Sequence, residues 1–492
     1  MVERRQLGRR PCALHRRSFP DVRTDQLGLS VRPRQAERPR DVVVIGGSLA
    51  GLFAAAACAA AGTTVTIVER DRLPAVPASR KGVPQDRQPH VLLHRGLMAA
   101  EELLPGLQDD LIRHGGALFD SGTMPWLGEY GWLPTWIPSY EFISTTRPLL
   151  EHLARQRVRA LSGVRIHDGI RASGLRRSGR GWQIECADST VLEADLVIDA
   201  SGRSSRLRQW LNAIGLTVPD PYTVDAQLGY ACRVYRVRDP LPISTGIVVA
   251  ATPETGVGAL ALPVEDNHWL VNAVGYGDHR PSRDPAELDQ FLTALRDPAL
   301  SDLVQLLEPA SEVDIHRQTG NRRQRYGTSG QWPEGLIAVG DAYCAFNPVY
   351  GQGITVAAAQ ALLVRDTLTG REVLSPHRLQ RRIGAVADLP WSIAITEDLR
   401  HPSSEGRQNL GQQLLGSWTA EVTRLAAHGD QGAYRAFARV YHLMSSPLLL
   451  FHPALLVSAA RSKLWGRPPA APRPTALDAL SSAVRQVQSG RD

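Results

Sequence analysis

Lysine is nearly absent from this chain: of 56 basic residues only Lys81 and Lys463 are lysines. Such arginine usage fits a GC-rich coding sequence better than a mechanism. A basic body is also lacking. The formal net charge is +7, but residues 1–40 hold 11 arginines against 4 acids, which accounts for all of it. The remainder is balanced, and that argues against a nucleic-acid-binding face. Cysteine is scarce. Cys12, Cys58, Cys186, Cys232 and Cys344 form no C-x-x-C pair, which excludes a cysteine zinc site or a disulfide framework and fits a reducing cytoplasm. No run of 18 apolar residues exists, so no membrane-spanning helix is expected. The arginine pairs of the first 20 residues precede no apolar h-region, which argues against a secretory or twin-arginine signal. The 14 histidines include no H-E-x-x-H, and no G-x-S-x-G elbow occurs, so neither a metal centre nor a serine hydrolase is expected.

What is present is an α/β pattern with one nucleotide-binding half-site. Asp41–Ile45 reads as a fully buried parallel strand. Leu49–Ala61 is Ala-rich and helical, and residues 64–69 form a second strand. Between strand and helix stands Gly46-Gly47-Ser48-Leu49-Ala50-Gly51, a G-x-G-x-x-G with Ser48 in place of the middle glycine. A small residue there lets a pyrophosphate approach the helix N-terminus. Glu69 closes the second strand, where an acid binds adenosine ribose hydroxyls; Arg70 follows it. The similar Gly256–Ala261 stretch is followed by Pro263 and an alternating pattern, so it reads as strand and not as a second dinucleotide site.

The stretch "GDAYCAFNPVYGQGITVAAAQ" (340–360) carries the second signal. An apolar strand leads into Gly340-Asp341; Pro348, Gly351 and Gly353 precede an apolar helix from about 353 to 368. Glycine admits close ligand approach, and a helix start offers free N–H groups and positive potential. Paired with the N-terminal half-site, this is the pattern of FAD binding. Asp341 would bond a ribityl hydroxyl, and the helix start would face the pyrimidine edge of the flavin. Residues 227–275 alternate like antiparallel strands, 285–307 reads as one helix, and the chain beyond 385 is mostly helical to about 463. The apolar stretch 446–460 is expected to pack on the flavin domain in preference to docking on a membrane.

These blocks resemble the FAD-dependent monooxygenases of the aromatic-hydroxylase-like fold, and most the bacterial flavin epoxidases of polyether and polyketide biosynthesis. The matching stretches are "RKGVPQDRQPHVLL" (80–93), "VIDASGRSSRLRQWL" (197–211), "LPVEDNHWLV" (262–271), "NRRQRY" (321–326) and "WPEGLIAVGDAYCAFNPVYGQG" (332–353). The resemblance implies a Rossmann-like FAD-binding domain (41–95, 141–215 and 315–385), an inserted antiparallel-sheet substrate domain (96–140 and 216–314), and a C-terminal helical region (386–465). A disordered basic tail (1–40) and a frayed end (466–492) would flank them. It places Arg80, Gln85 and Arg147 beside FAD, and Asp341, Gly351 and Gly353 along the isoalloxazine. Asp199-Ala200 stands where the better known aromatic hydroxylases carry Asp-Gly.

The activity implied is oxygen transfer from O2, through a flavin C4a-hydroperoxide, to an electron-rich apolar small molecule such as a polyketide, polyene or terpenoid. NADPH or NADH would be the reductant, and the product an epoxide or a phenol. Such transfer needs no catalytic side chain, and none is assigned. Trp136, Phe346 and Tyr350 are the candidate substrate-pocket residues. Other readings stay open: a flavin reductase of prenyl double bonds, a halogenase, or a non-enzymatic redox sensor. "GWLPTWIPSY" (131–140) is similar to the halogenase Trp-x-Trp-x-Ile-Pro, but its tryptophans are four residues apart.

Overall fold

The computed structural model describes residues 39–179, 181–328, 332–371 and 376–489. The basic tail expected for 1–40 lies, but for its last two residues, outside them. The centre is a parallel five-stranded sheet built from β1 (Asp41–Ile45), β2 (Thr64–Glu69), β3 (Val164–Asp168), β4 (Leu196–Asp199) and a strand at Leu336–Ala338. Its spatial order is 336–338, β4, β1, β2, β3. In β1 successive side chains serve opposite faces. Val42 and Val44 pack under the helices, while Val43 and Ile45 pack against the other layer. Both faces of the strand are therefore dry, which is why its sequence is continuously apolar.

One face is covered by α1 (Leu49–Ala59), α2 (Arg147–Arg159) and α3 (Gly353–Leu368). Alanines and Gly51 along α1 let it lie close to the sheet; Phe53, Ala54, Ala55 and Ala57 are fully buried. The helix His94–Leu103, expected in the substrate domain, belongs here too: Leu97, Ala100 and Leu103 join this core. A small antiparallel sheet over 172–194 covers the other face through Trp182 and Ile184.

The second layer is a mixed eight-stranded sheet centred on β5 (Leu228–Val237), β6 (Val257–Val264) and β7 (His268–Tyr276). The Gly256–Ala261 stretch thus lies at and within a strand. The single helix expected over 285–307 is two, Pro285–Thr293 and Ala299–Gln305. Residues 294–298 separate them; Pro298 caps the second helix, and Asp297 before it is disfavoured in helical geometry.

The C-terminal region supplies α4 (Asp388–Asp398), α5 (Leu410–Ala427), α6 (Gln431–Tyr441), α7 (Pro453–Trp465) and α8 (Thr475–Ser489). Two expectations fail here. The frayed end is instead helical over 475–489, since Leu477 and Leu480 sink into the core of the eight-stranded sheet and Arg473 pairs with Asp297. The 446–460 stretch does not pack on the flavin sheet. Leu450, Leu455 and Ala459 pack with α5, α6, Leu133 and Ile137, while Leu448 and Val457 stay 74% and 55% exposed. Among the described residues no helix is long and apolar enough to cross a membrane.

Candidate active site

A cavity of about 930 Å³ runs from the β1–α1 turn to the C-terminal helices. Both glycine-rich segments open into it. At one end stand Gly46, Ser48, Leu49, Ala50, Glu69 and Arg70; further in stand Asp341, Gly351 and Gly353. Gly47 and Gly51 do not line the cavity. Gly46 has φ +108°, and a β-carbon there would lie 2.5 Å from the Ala200 carbonyl oxygen. Only glycine fits such a turn.

Arg80 and Arg147, taken from distant segments, converge with Ser48 on one buried carboxylate. Arg80 Nε donates to Glu151 Oε1 at 2.8 Å, and Ser48 Oγ donates to Glu151 Oε2 at 2.6 Å. Arg147 donates to Ser48 Oγ at 2.9 Å. Arg155 also reaches Glu151, at 3.7 Å. Burial alone would raise the Glu151 pKa; Arg147 and Arg80 outweigh it and hold it below the ordinary range. Burial likewise opposes the charge on Arg80, and Glu151 with Glu69 restore it. Sequence reading missed Glu151, although Arg147, Glu151 and Arg155 recur every four residues on one helix face.

Glu69 is buried. Its Oε2 accepts from Gly47 N–H at 2.7 Å and its Oε1 from Asp71 N–H at 2.9 Å. A carboxylate has about four acceptor positions, so capacity remains toward the cavity. Arg70 is exposed at the rim and donates to Ser204 Oγ at 3.2 Å. Gln85 lines the same stretch. Asp199 does not face the cavity. It is fully buried and accepts from Ser201 N–H and from the Ser201 and Ser205 hydroxyls, pinning the turn after β4.

Asp341 is 30% exposed at its side chain and lies 3.7 Å from Arg203. Burial raises its pKa against the pull of Arg203, Arg147 and Arg322. It precedes α3, whose first turn carries neither a capping side chain nor an acid. The start of α1 is equally bare. Among the described residues, seven buried polar atoms of cavity-lining side chains have no hydrogen-bond partner, including the donors Arg80 Nη2 and Arg147 Nε and the acceptor Gln352 Oε1. Two uncapped helix starts, a glycine cradle and orphaned donors fit an elongated anionic dinucleotide such as FAD.

Of the candidate pocket residues, Phe346 and Tyr350 line the cavity and Trp136 does not. Trp136 sits in a surface turn, 58% exposed. Trp126, Phe142, Phe437 and Tyr441 form the aromatic wall instead; Trp126 meets Tyr441 edge-on at 5.2 Å. Trp136→Ala should leave flavin content and turnover within about twofold of wild type; a tenfold loss in either would return Trp136 to the pocket.

Ser121 and His442 also meet in this cavity, Oγ to Nε2 at 3.0 Å. The His94 backbone N–H donates to His442 Nδ1 at 3.2 Å, so Nε2 carries the proton and cannot activate Ser121 as a base. Beyond Tyr350 lies a second polar cluster the sequence did not reveal. Asp398, at the end of α4, accepts from Tyr350 Oη at 2.7 Å, Asn347 Nδ2 at 2.9 Å and Asn321 Nδ2 at 2.6 Å. Burial raises its pKa from 3.8 to about 6. A carboxyl whose folded pKa is raised stabilises the fold when protonated, and that contribution is lost as pH rises through about 6. At neutral pH the ionised Asp398 therefore costs stability.

The comparisons with known proteins agree with this geometry. Residues 41–206 match the FAD dependent oxidoreductase family. Protein Rv3254 of Mycobacterium tuberculosis is 32% identical over 350 residues, 68% of this chain and 74% of that protein. The chain belongs to the FAD-dependent oxidoreductases. It is also 26% identical over 433 residues to a kynurenine 3-monooxygenase of Salinispora tropica, covering 83% of this chain and 86% of the relative. Among solved structures, PqsL of Pseudomonas aeruginosa, a probable FAD-dependent monooxygenase, shares the fold with a TM-score of 0.56 at 17% identity, over 73% of this chain and 97% of its own.

In this setting Ser48, the first turn of α1, Glu69 and Arg147 could hold the adenosine and pyrophosphate of FAD, with Asp341 and the start of α3 toward the flavin. Asp341→Ala should strip FAD during gel filtration, because a charged hydrogen bond contributes about 1.5–3 kcal/mol. Full retention would remove Asp341 from the cofactor site.

Proposed function

We propose that the protein is an FAD-dependent monooxygenase that uses NADPH or NADH to place one atom of O2 on an electron-rich small molecule, by epoxidation of an alkene or hydroxylation of an activated ring. The observation that carries this reading is the continuity of the cavity. The segments that fit FAD open directly into a chamber walled by Trp126, Phe142, Phe437 and Tyr441. Bound FAD would supply the redox chemistry and the activation of oxygen.

The chain's own residues do the rest. The bare start of α3 presents N–H groups and positive potential where negative charge would gather on reduction. Arg147, buried and facing the cavity, adds a fixed cation. The aromatic wall and the cover of α5 and α6 exclude water and hold an apolar substrate in place. His90, pushed down to about 3 by burial and by Arg147, stays neutral in this wall. The relative named kynurenine 3-monooxygenase, aligned over most of both chains, supports oxygen transfer over double-bond reduction.

The test is a panel of polyenes and activated arenes turned over with NADPH under 18O2. One 18O atom in the product is the expected result. A product with a saturated double bond and no 18O would favour a reductase.

A further inference from the structure

We propose that the outer face of α7, with the turn over 447–451 before it, docks on an anionic lipid bilayer. This goes beyond the oxygenase reading and does not depend on it. Helix α7 reads PALLVSAARSKLW, and a helix apolar on all sides is ordinarily buried. Here only one side is covered. Leu455 and Ala459, four residues apart, are buried and pack with α5 and α6. Leu456, Ala460 and Leu464 repeat the same spacing and, with Val457, form a stripe turned to solvent; all four are exposed. Leu464 is 73% exposed and Trp465, at the helix end, 76%.

The face continues past the helix. Leu448 and Phe451 stand out from the preceding turn, and Phe451 stacks on Trp418 of α5 at 6.1 Å. Single exposed apolar side chains are ordinary, but a contiguous set of them marks a docking surface.

Charge decides what covers it. Residues 431–477 hold six basic residues and no Asp or Glu, an excess concealed in the balance of the whole body. Arg467 is answered by Glu421, and Arg473 by Asp297 and Asp478. Arg435, Arg439, Arg461 and Lys463 are exposed and form no ion pair among the described residues. Arg461 and Lys463 fall on either side of the apolar stripe, at about 100° per residue around the helix. Arg435 and Arg439, one turn apart, line the solvent side of α6.

A second copy of the chain fits this face poorly. A two-fold interface sets a patch against itself, so the four cations would meet one another with no acid in the segment to answer them. An anionic bilayer meets both features. Its acyl region takes the leucines, and its headgroups take the flanking cations, whose long stems reach outward. An indole placed as Trp465 is sits at the boundary between the two. The stripe is hydrocarbon alone, with no donor or acceptor to fix the register of a protein partner. With 13 residues, α7 is too short to span a bilayer and would lie in its surface plane.

The experiment floats the full-length, FAD-loaded protein on a density gradient with vesicles of equal parts phosphatidylglycerol and phosphatidylcholine, and with vesicles of phosphatidylcholine alone. In low salt the protein should rise with the anionic vesicles. Its bound-to-free ratio should be about tenfold lower on phosphatidylcholine, and about tenfold lower on anionic vesicles in about 0.5 M NaCl. Leu456→Ser with Leu464→Ser, and separately Arg461→Gln with Lys463→Gln, should each lower the ratio about tenfold or more. Flavin content and urea midpoint should stay at the wild-type values, because all four side chains are exposed. The proposal is overturned if the protein does not float with anionic vesicles, if phosphatidylcholine alone binds it equally well, or if both variants float as wild type does. A dimer in size-exclusion chromatography that the leucine variant dissolves would also overturn it, by assigning the face to a second copy.

Discussion

Glu151→Ala should lower the unfolding free energy by about 3–5 kcal/mol and empty the cofactor site. The carboxylate is 6% exposed and is shared by Arg80, Arg147 and Arg155. Removing it leaves the buried Arg147 and Arg155 without their ion-pair partner, although Arg80 keeps Asp71 at 2.9 Å and Glu69 at 3.4 Å; an uncompensated buried charge costs far more than the ion pairs themselves contribute. It also frees Ser48 Oγ, which Glu151 holds at the start of α1. Glu151→Gln, which keeps the shape and one acceptor, should fall between. The measurement is the urea midpoint with the FAD-to-protein ratio of purified protein. An unchanged midpoint with full FAD would show that the arginines find other partners. Because the Glu151 pKa is depressed, its contribution should be present above the ordinary carboxylate range and vanish as pH falls below it.

Gly51→Ala sets two effects of opposite sign against each other. Helix propensity alone favours alanine by about 1 kcal/mol. Packing opposes it: the new β-carbon would stand 1.8 Å from the Gly46 carbonyl oxygen and 2.9 Å from its carbon. That neighbour is backbone at the turn that frames the pyrophosphate position, so either the turn or α1 must shift. Overpacking of this kind costs about 3 kcal/mol and should win. Lower stability and FAD-free protein are expected together. A variant as stable as wild type, with its flavin bound, would show that the turn is looser than its geometry indicates.

The parallel sheet was legible because β1, β4 and the strand at 336–338 are dry on both faces and the turn after β1 carries glycine at a position of fixed conformation. β1, α1 and β2 follow from local pattern alone, and so do the bounds of α3. The candidate site was legible where its residues are neighbours in sequence, as at 46–51 and 341–353. Asp398 was not, because its partners Asn321, Asn347 and Tyr350 come from other segments. No local spacing encodes that meeting. Trp136 misled for a related reason: a cluster of tryptophans signals an aromatic wall, but the two-residue strand that ends at Trp132 decides which ring turns inward. The helix at 475–489 was hidden by the proline-rich segment before it, which reads as a chain end although Leu477 and Leu480 find a core.

The most direct test of the central claim is made without a substrate. The purified protein is reduced with NADPH under argon, air-saturated buffer is admitted, and flavin absorbance and hydrogen peroxide are followed together. A monooxygenase lacking its substrate should bleach, recover its oxidised spectrum in air, and release about one peroxide per flavin, because nothing else accepts the activated oxygen. Flavin that bleaches and then stays reduced in air, with no peroxide formed, would contradict the account.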